Sequence, residues 1–147
     1  MGFKHANLTF RANGTKVFDL TKYGVTGCRA EFGHDGKRIT WGLTDWDLFV
    51  AMIDFSQGEP IVSDLRKLVR CEKDYFVFHT DFSPDGNYIA FSYGPSAGSG
   101  GHPAIVGCKA KGWNICVSDM TGKWVQITTD GNQNKEPDWV PIRTPGR

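Results

Sequence analysis

Apolar residues in this chain come in short runs, each broken after a few positions by Gly, Asp, Asn or Pro. That punctuation predicts short β-strands joined by tight turns rather than long helices. The clearest case is Asp81-Phe82-Ser83-Pro84-Asp85-Gly86-Asn87-Tyr88-Ile89-Ala90-Phe91-Ser92. Pro presets φ for a turn, Gly and Asn accept positive φ, and an aromatic or β-branched run on either side closes a β-hairpin.

The pattern recurs. Glu31-Phe32-Gly33-His34-Asp35-Gly36-Lys37-Arg38-Ile39-Thr40-Trp41 has the same acid-aromatic start, Asp-Gly turn and apolar strand, and Asp138-Trp139-Val140-Pro141 repeats the start alone. Phe32 and Phe82 lie 50 positions apart, and Phe82 and Trp139 lie 57 apart. A period of about 50 residues falls in the range of propeller blades. A second motif repeats as well: Asn7-Leu8-Thr9-Phe10 with Gly14-Thr15-Lys16-Val17-Phe18-Asp19-Leu20-Thr21 aligns with Asn114-Ile115-Cys116-Val117 and Gly122-Lys123-Trp124-Val125-Gln126-Ile127-Thr128. A looser copy is Asp47-Leu48-Phe49-Val50 with Gly58-Glu59-Pro60-Ile61-Val62.

In chain order, residues 6–21 form two antiparallel strands around Asn13-Gly14, and 23–27 connect onward. A first full unit over 28–63 has strands at 29–32, 37–41, 47–53 and near 60–63. Residues 64–71 place Leu65, Leu68 and Val69 at helical spacing, but the run is too short to stand as a helix and is read as a connection between units. A second unit over 76–128 has the inner hairpin described above and an outer hairpin of 113–119 with 123–128. Between them runs a long Gly-rich loop over 93–112, and 138–147 begin a further unit.

These motifs resemble the blade repeat of TolB-like β-propellers. Residues 81–92 and 113–128 carry the likeness closely. In 28–63 it is looser, with Gly33-His34 in place of Ser-Pro and Thr40-Trp41 in place of Ala-Phe. The resemblance implies an all-β fold of four-stranded antiparallel blades forming an incomplete propeller. It also implies a non-enzymatic binding or scaffold module in a periplasmic or extracellular setting, contacting a protein or ligand. The alternative is the propeller portion of a larger extracytoplasmic enzyme of sulfatase-pathway, peptidase or polysaccharide-lyase type, with its catalytic domain elsewhere. Propellers need about four to eight blades. Two complete units leave sheet edges and end faces open, which favours self-association, either within a longer chain or as a ring of copies.

Composition changes this picture little. Hydrophobic content of 39% supports a core, and a net charge of +1 with scattered Lys and Arg gives no electrostatic case for nucleic acid. No apolar run approaches the ~20 residues of a membrane span. The opening MGFKHANLTF has no signal-peptide h-region, and Ala6 departs from the myristoylation pattern, so the compartment stays open.

Candidate chemistry is sparse, and no cofactor or metal is expected. Cys28, Cys71, Cys108 and Cys116 have no zinc spacing; Cys116 reads as a core residue, with a Cys108–Cys116 disulfide the alternative. Ala97-Gly98-Ser99-Gly100-Gly101 imitates a nucleophile elbow, but it lies in a Gly-rich loop and lacks the strand–turn–helix setting that motif needs. Asp35 and Asp85 read as caps of their own turns, while Glu31, Asp81 and Asp138 share a repeat position and a common structural job. The ligand-binding candidates are His79 and Asp81, which strand alternation sets on one face, with His102 in the long loop. Trp46 and Trp113 join them, each just before the third strand of a unit. They offer either stacking surface or packing.

Overall fold

The computed structural model describes residues 8–10, 13–44, 47–95 and 112–140. Within them the protein is all-β, with a single 3-10 turn over Leu20–Tyr23. Strands β1 (Leu8–Phe10) and β2 (Val17–Asp19) pair as an antiparallel hairpin. The first sheet is an antiparallel meander of β3 (Cys28–Phe32), β4 (Arg38–Thr44), β5 (Asp47–Asp54) and β6 (Ile61–Val69). The second sheet repeats the order with β7 (Tyr75–Phe82), β8 (Tyr88–Pro95), β9 (Asn114–Asp119) and β10 (Trp124–Gln126).

Local chemistry sets these meanders. At the first turn of each sheet an aspartate closes the loop on itself, as expected: Asp35 Oδ1 accepts from Lys37 N at 2.9 Å, and Asp85 Oδ1 accepts from Asn87 N at 3.0 Å. Asp54 and Asp119 do the same at the third turns, accepting from Ser56 N and Thr121 N. Such side-chain-to-backbone bonds mimic a backbone turn and leave the flanking strands in antiparallel register. Asn13 caps the N-terminal hairpin in the same way, accepting from Thr15 N.

The three sheets stack as layers. Phe18 and Leu20 of the hairpin region pack with Ile39, Trp41, Phe49, Ala51 and Ile53 on one face of the first sheet. Leu48, Val50, Leu68 and Val69 on its other face pack against Val77, Phe82, Ile89, Phe91 and Cys116 of the second. Trp41 is thus a core residue, and Cys116 is a fully buried free thiol pushed up to about 12 by burial. Strand β7, the first of its sheet, lies against β3 and β4. Arg38 ties the two first turns together, donating from Nε to Asp35 Oδ2 at 2.7 Å and from Nη1 to the Gly86 carbonyl, with its guanidinium 5.4 Å from the Phe82 ring. At the outer end, Gly122 takes φ +88° and lies so close to β6 that a Cβ there would meet the Leu68 carbonyl oxygen at 2.4 Å. Only glycine satisfies both demands.

Four expectations need correction. Residues 64–69 are not a connection with helical spacing; β6 runs through them. Asp64 at φ +47° and two shifts of register against β5 let the strand continue, so Leu68 and Val69 reach the inter-sheet core. In the N-terminal hairpin Thr9, not Phe10, takes the place of Val117: Thr9 pairs with Phe18 as Val117 pairs with Val125. The closing pairs Phe10–Val17 and Ser118–Trp124 enclose six and five residues, which moves the frame by one. Residues 138–140 follow the inner edge without joining a ladder among the described residues. Finally, His79 and Asp81 do not alternate as strand neighbours. Phe78 pairs with Ser92 and Thr80 with Phe91, leaving His79 as the extra residue of a bulge.

Candidate functional site

The left-handed backbone at His79 is one of three at a single repeat position. The repeat-equivalent residues Arg29, His79 and Glu136 stand two positions before Glu31, Asp81 and Asp138, and they have φ of +52°, +50° and +60°. Positive φ is costly for residues with a Cβ, so three such conformations at one repeat position mark a shared local design. In β3 the register against β4 shifts between Cys28 and Glu31, as β7 shifts against β8 at His79. Bulges occur where a strand edge must re-aim its side chains.

Stacking the layers brings these columns together along the inner edge. Arg29 Nη2 lies 3.3 Å from Glu136 Oε1, and Arg29 Nη1 lies 3.4 Å from His79 Nδ1. A guanidinium only donates, so Nδ1 accepts and the proton of neutral His79 sits on Nε2. Burial first, then the Arg29 charge, hold the His79 imidazole below its ordinary value, which favours the neutral ring. Beside this row lie the three acids of the repeat. Burial raises Glu31 above its ordinary value, reinforced by the negative charges of Asp81 and Asp138. Burial also raises Asp81, and a side-chain hydrogen bond with Asp138 adds to it. A carboxylate hydrogen-bonded to a second carboxylate resists ionisation, which favours the protonated form of Asp81.

Residues 133–139 form the far wall. Asn134 N donates to the Trp113 carbonyl at 3.0 Å, and Glu136 N donates to Ser92 Oγ at 2.8 Å. Trp139 binds Asp81 twice, from its backbone N to Oδ2 and from Nε1 to the carbonyl, both at 3.1 Å. Trp139 is half-buried. Lys135 Nζ sits 4.4 Å from the Phe78 ring and 4.9 Å from that of Trp113, and desolvation there lowers its affinity for a proton. Next to the cluster, Thr80 Oγ1 is buried with no hydrogen-bond partner among the described residues.

Of the five candidates from the sequence, His79 and Asp81 meet here. Trp113 lies at the margin, buried, its ring edge-on to Phe78 at 6.4 Å and laid over Gly94, where a Cβ would meet the ring at 2.4 Å. That is the packing arrangement. Trp46 and His102 lie outside the described residues, as do Cys108 and residues 96–111. Arg29 and Glu136 were not among the candidates. Their signal was the column two residues before each repeated acid, Arg29-x-Glu31, His79-x-Asp81 and Glu136-x-Asp138.

The site therefore offers carboxylates, a neutral imidazole and one guanidinium along β3, β7 and residues 133–139. That set suits hydrogen bonding and charge complementarity. Among the described residues no group of three or more His, Cys, Asp or Glu is arranged to hold a metal, and no helix is long and apolar enough to cross a membrane. No protein-family model matches the chain, and no curated protein matches it.

Proposed function

We propose that the two four-stranded sheets are blades of a TolB-like β-propeller, and that the protein is a non-enzymatic binding or scaffold module. Its contact surface is the inner edge, where Arg29, His79 and Glu136 stand beside Glu31, Asp81 and Asp138. The observation that carries this reading is the convergence of repeat-equivalent polar residues from three successive units into one cluster. A purely structural repeat needs apolar residues at its stacking positions; it has no need for charged residues at strained backbone positions along one edge. Carboxylates outnumber the guanidinium, so the edge suits a protein partner that brings positive charge or hydrogen-bond donors.

The test is a titration of the isotope-labelled chain with oligolysine and with oligoglutamate, followed through its amide resonances. Oligolysine is expected to move the signals of Glu31, Asp81 and Asp138, and oligoglutamate to leave them unchanged. Equal effects of both peptides, or an unchanged oligolysine response in an Asp81→Asn, Asp138→Asn double variant, would overturn the reading.

A further inference from the structure

The layers cover one another in a fixed sense. The hairpin buries Phe18 and Leu20 against the first sheet, and the first sheet buries Leu48 and Val50 against the second. On the second sheet, ladder register sets Ile115 and Val117 in the places of Leu48 and Val50. Val125 and Ile127 take the places of Phe18 and Leu20. Yet Val125 and Ile127 are 61% and 57% exposed, while Phe18 is 6% and Leu20 1% exposed. Residues 133–139 cover only the inner half of this face, through Ser92, Trp113 and Asp81. The outer half is a shallow groove of about 250 Å³ lined by Tyr88, Val117, Asp119, Lys123, Trp124 and Val125.

The opposite end of the stack shows the counterpart. The hairpin turns Phe18 inward, and its other face leaves Leu8 and Val17 each 61% exposed. In the second sheet the corresponding face, carrying Trp124 and Cys116, is the one that receives the preceding layer. Among the described residues, one end of the stack thus presents an outer hairpin with an uncovered receiving face. The other presents an uncovered outer half-face beside the start of an inner strand, Asp138-Trp139, already seated on Asp81.

We infer that the occupant of the Val125–Ile127 face is the N-terminal hairpin of a second copy of this chain, docked head to tail. The hairpin's Leu8 and Val17 face meets the groove, and residues 138–140 of the first copy with β1 and β2 of the second complete one shared layer. The inference rests on the blade reading and continues an interface that the chain already makes twice within itself. Such a contact is heterologous, so it propagates until it closes into a ring.

The experiment uses the full chain, measured by light scattering on a sizing column, with Val17→Asp and Val125→Asp variants. Both changes fall on exposed positions, and circular dichroism checks that each variant folds. The wild type is expected at a defined multiple of 16.3 kDa. Each variant alone should run as a monomer, and an equal mixture should recover a 1:1 pair, because each supplies the end the other lacks. A wild type that stays monomeric up to about 1 mM overturns the inference. So does a mixture that fails to pair, or a loss of assembly in only one variant, which marks a symmetric contact. A monomer that keeps the oligolysine response at Asp81 overturns self-assembly alone; loss of that response overturns the binding reading.

Discussion

The two four-stranded sheets share strand order, turn caps and inner-edge bulges, yet they differ in how their equivalent residues are covered. Leu48 and Val50 of the first sheet are sealed by the second, whereas Ile115 and Val117 at the same register are only half-buried. The outer strands differ with them: β5 and β6 run for 8 and 9 residues, β9 and β10 for 6 and 3. Turn chemistry and alternation thus set the form of a sheet, but position in the stack sets which of its faces is core. Identical local patterns acquire different energetic weight.

The largest expected effect comes from removing an aromatic that sits between layers. Phe82 is fully buried between the sheets, while its repeat-equivalents Phe32 and Trp139 are half-buried. Phe82→Ala should cost about 3–5 kcal/mol in urea-monitored unfolding, and Phe32→Ala clearly less. Equal losses would mean that the stacking does not distinguish the sheets.

Equivalent turn glycines give the next contrast. Gly58 and Gly122 have φ of +85° and +88°, but a Cβ on Gly58 meets open space while one on Gly122 meets the Leu68 carbonyl oxygen. Gly58→Ala should cost about 1 kcal/mol from the left-handed backbone alone. Gly122→Ala should cost more, because backbone atoms of β6 would have to move. Similar unfolding midpoints for the two variants would contradict the close packing of the β9–β10 turn on the first sheet.

Thr80 occupies the place of Ala30 and buries a hydroxyl with no hydrogen-bond partner among the described residues. Thr80→Val keeps the shape and removes the desolvated group, so it should stabilise the protein by about 1 kcal/mol. A destabilisation would show that the hydroxyl is satisfied in solution.

The inner edge makes a pH-dependent prediction. Asp81 and Glu31 bind a proton more tightly in the folded protein than their ordinary values of 3.8 and 4.5 allow. Folded-state protonation then exceeds unfolded-state protonation, so this contribution is present on the acid side and is lost as pH rises through the folded values. His79 acts in the opposite sense, its depressed value weakening stability as pH falls below 6.5. Asp81→Asn removes one raised carboxyl and relieves Glu31. Its advantage over the wild type should therefore appear as pH climbs from 3.8 past 4.5. Parallel stability curves for the two proteins would contradict the coupling. The smallest effect belongs to the uncovered face: Ile127→Ser should change monomer stability by no more than about 0.5 kcal/mol.

By itself the sequence determined the all-β class, both hairpins of each full unit and Asp35 and Asp85 as caps of the first turns. These depend on contacts within a few residues, through Pro and Gly backbone preferences and short side-chain hydrogen bonds. It also marked Glu31, Asp81 and Asp138 as one repeated position. The tertiary structure alone decided that these acids come within reach of one another, because only the stacking of layers brings residues 50 and 57 positions apart to one edge. It decided the register shifts at Arg29 and His79, since a bulge is a mismatch between two strands, and the matching positive φ of Glu136. It carried β6 through residues 64–69 because pairing with β5 outweighed a weak helical spacing. And it separated Phe18 from Val125, two apolar residues at one repeat position: burial belongs to the neighbouring layer, not to the strand.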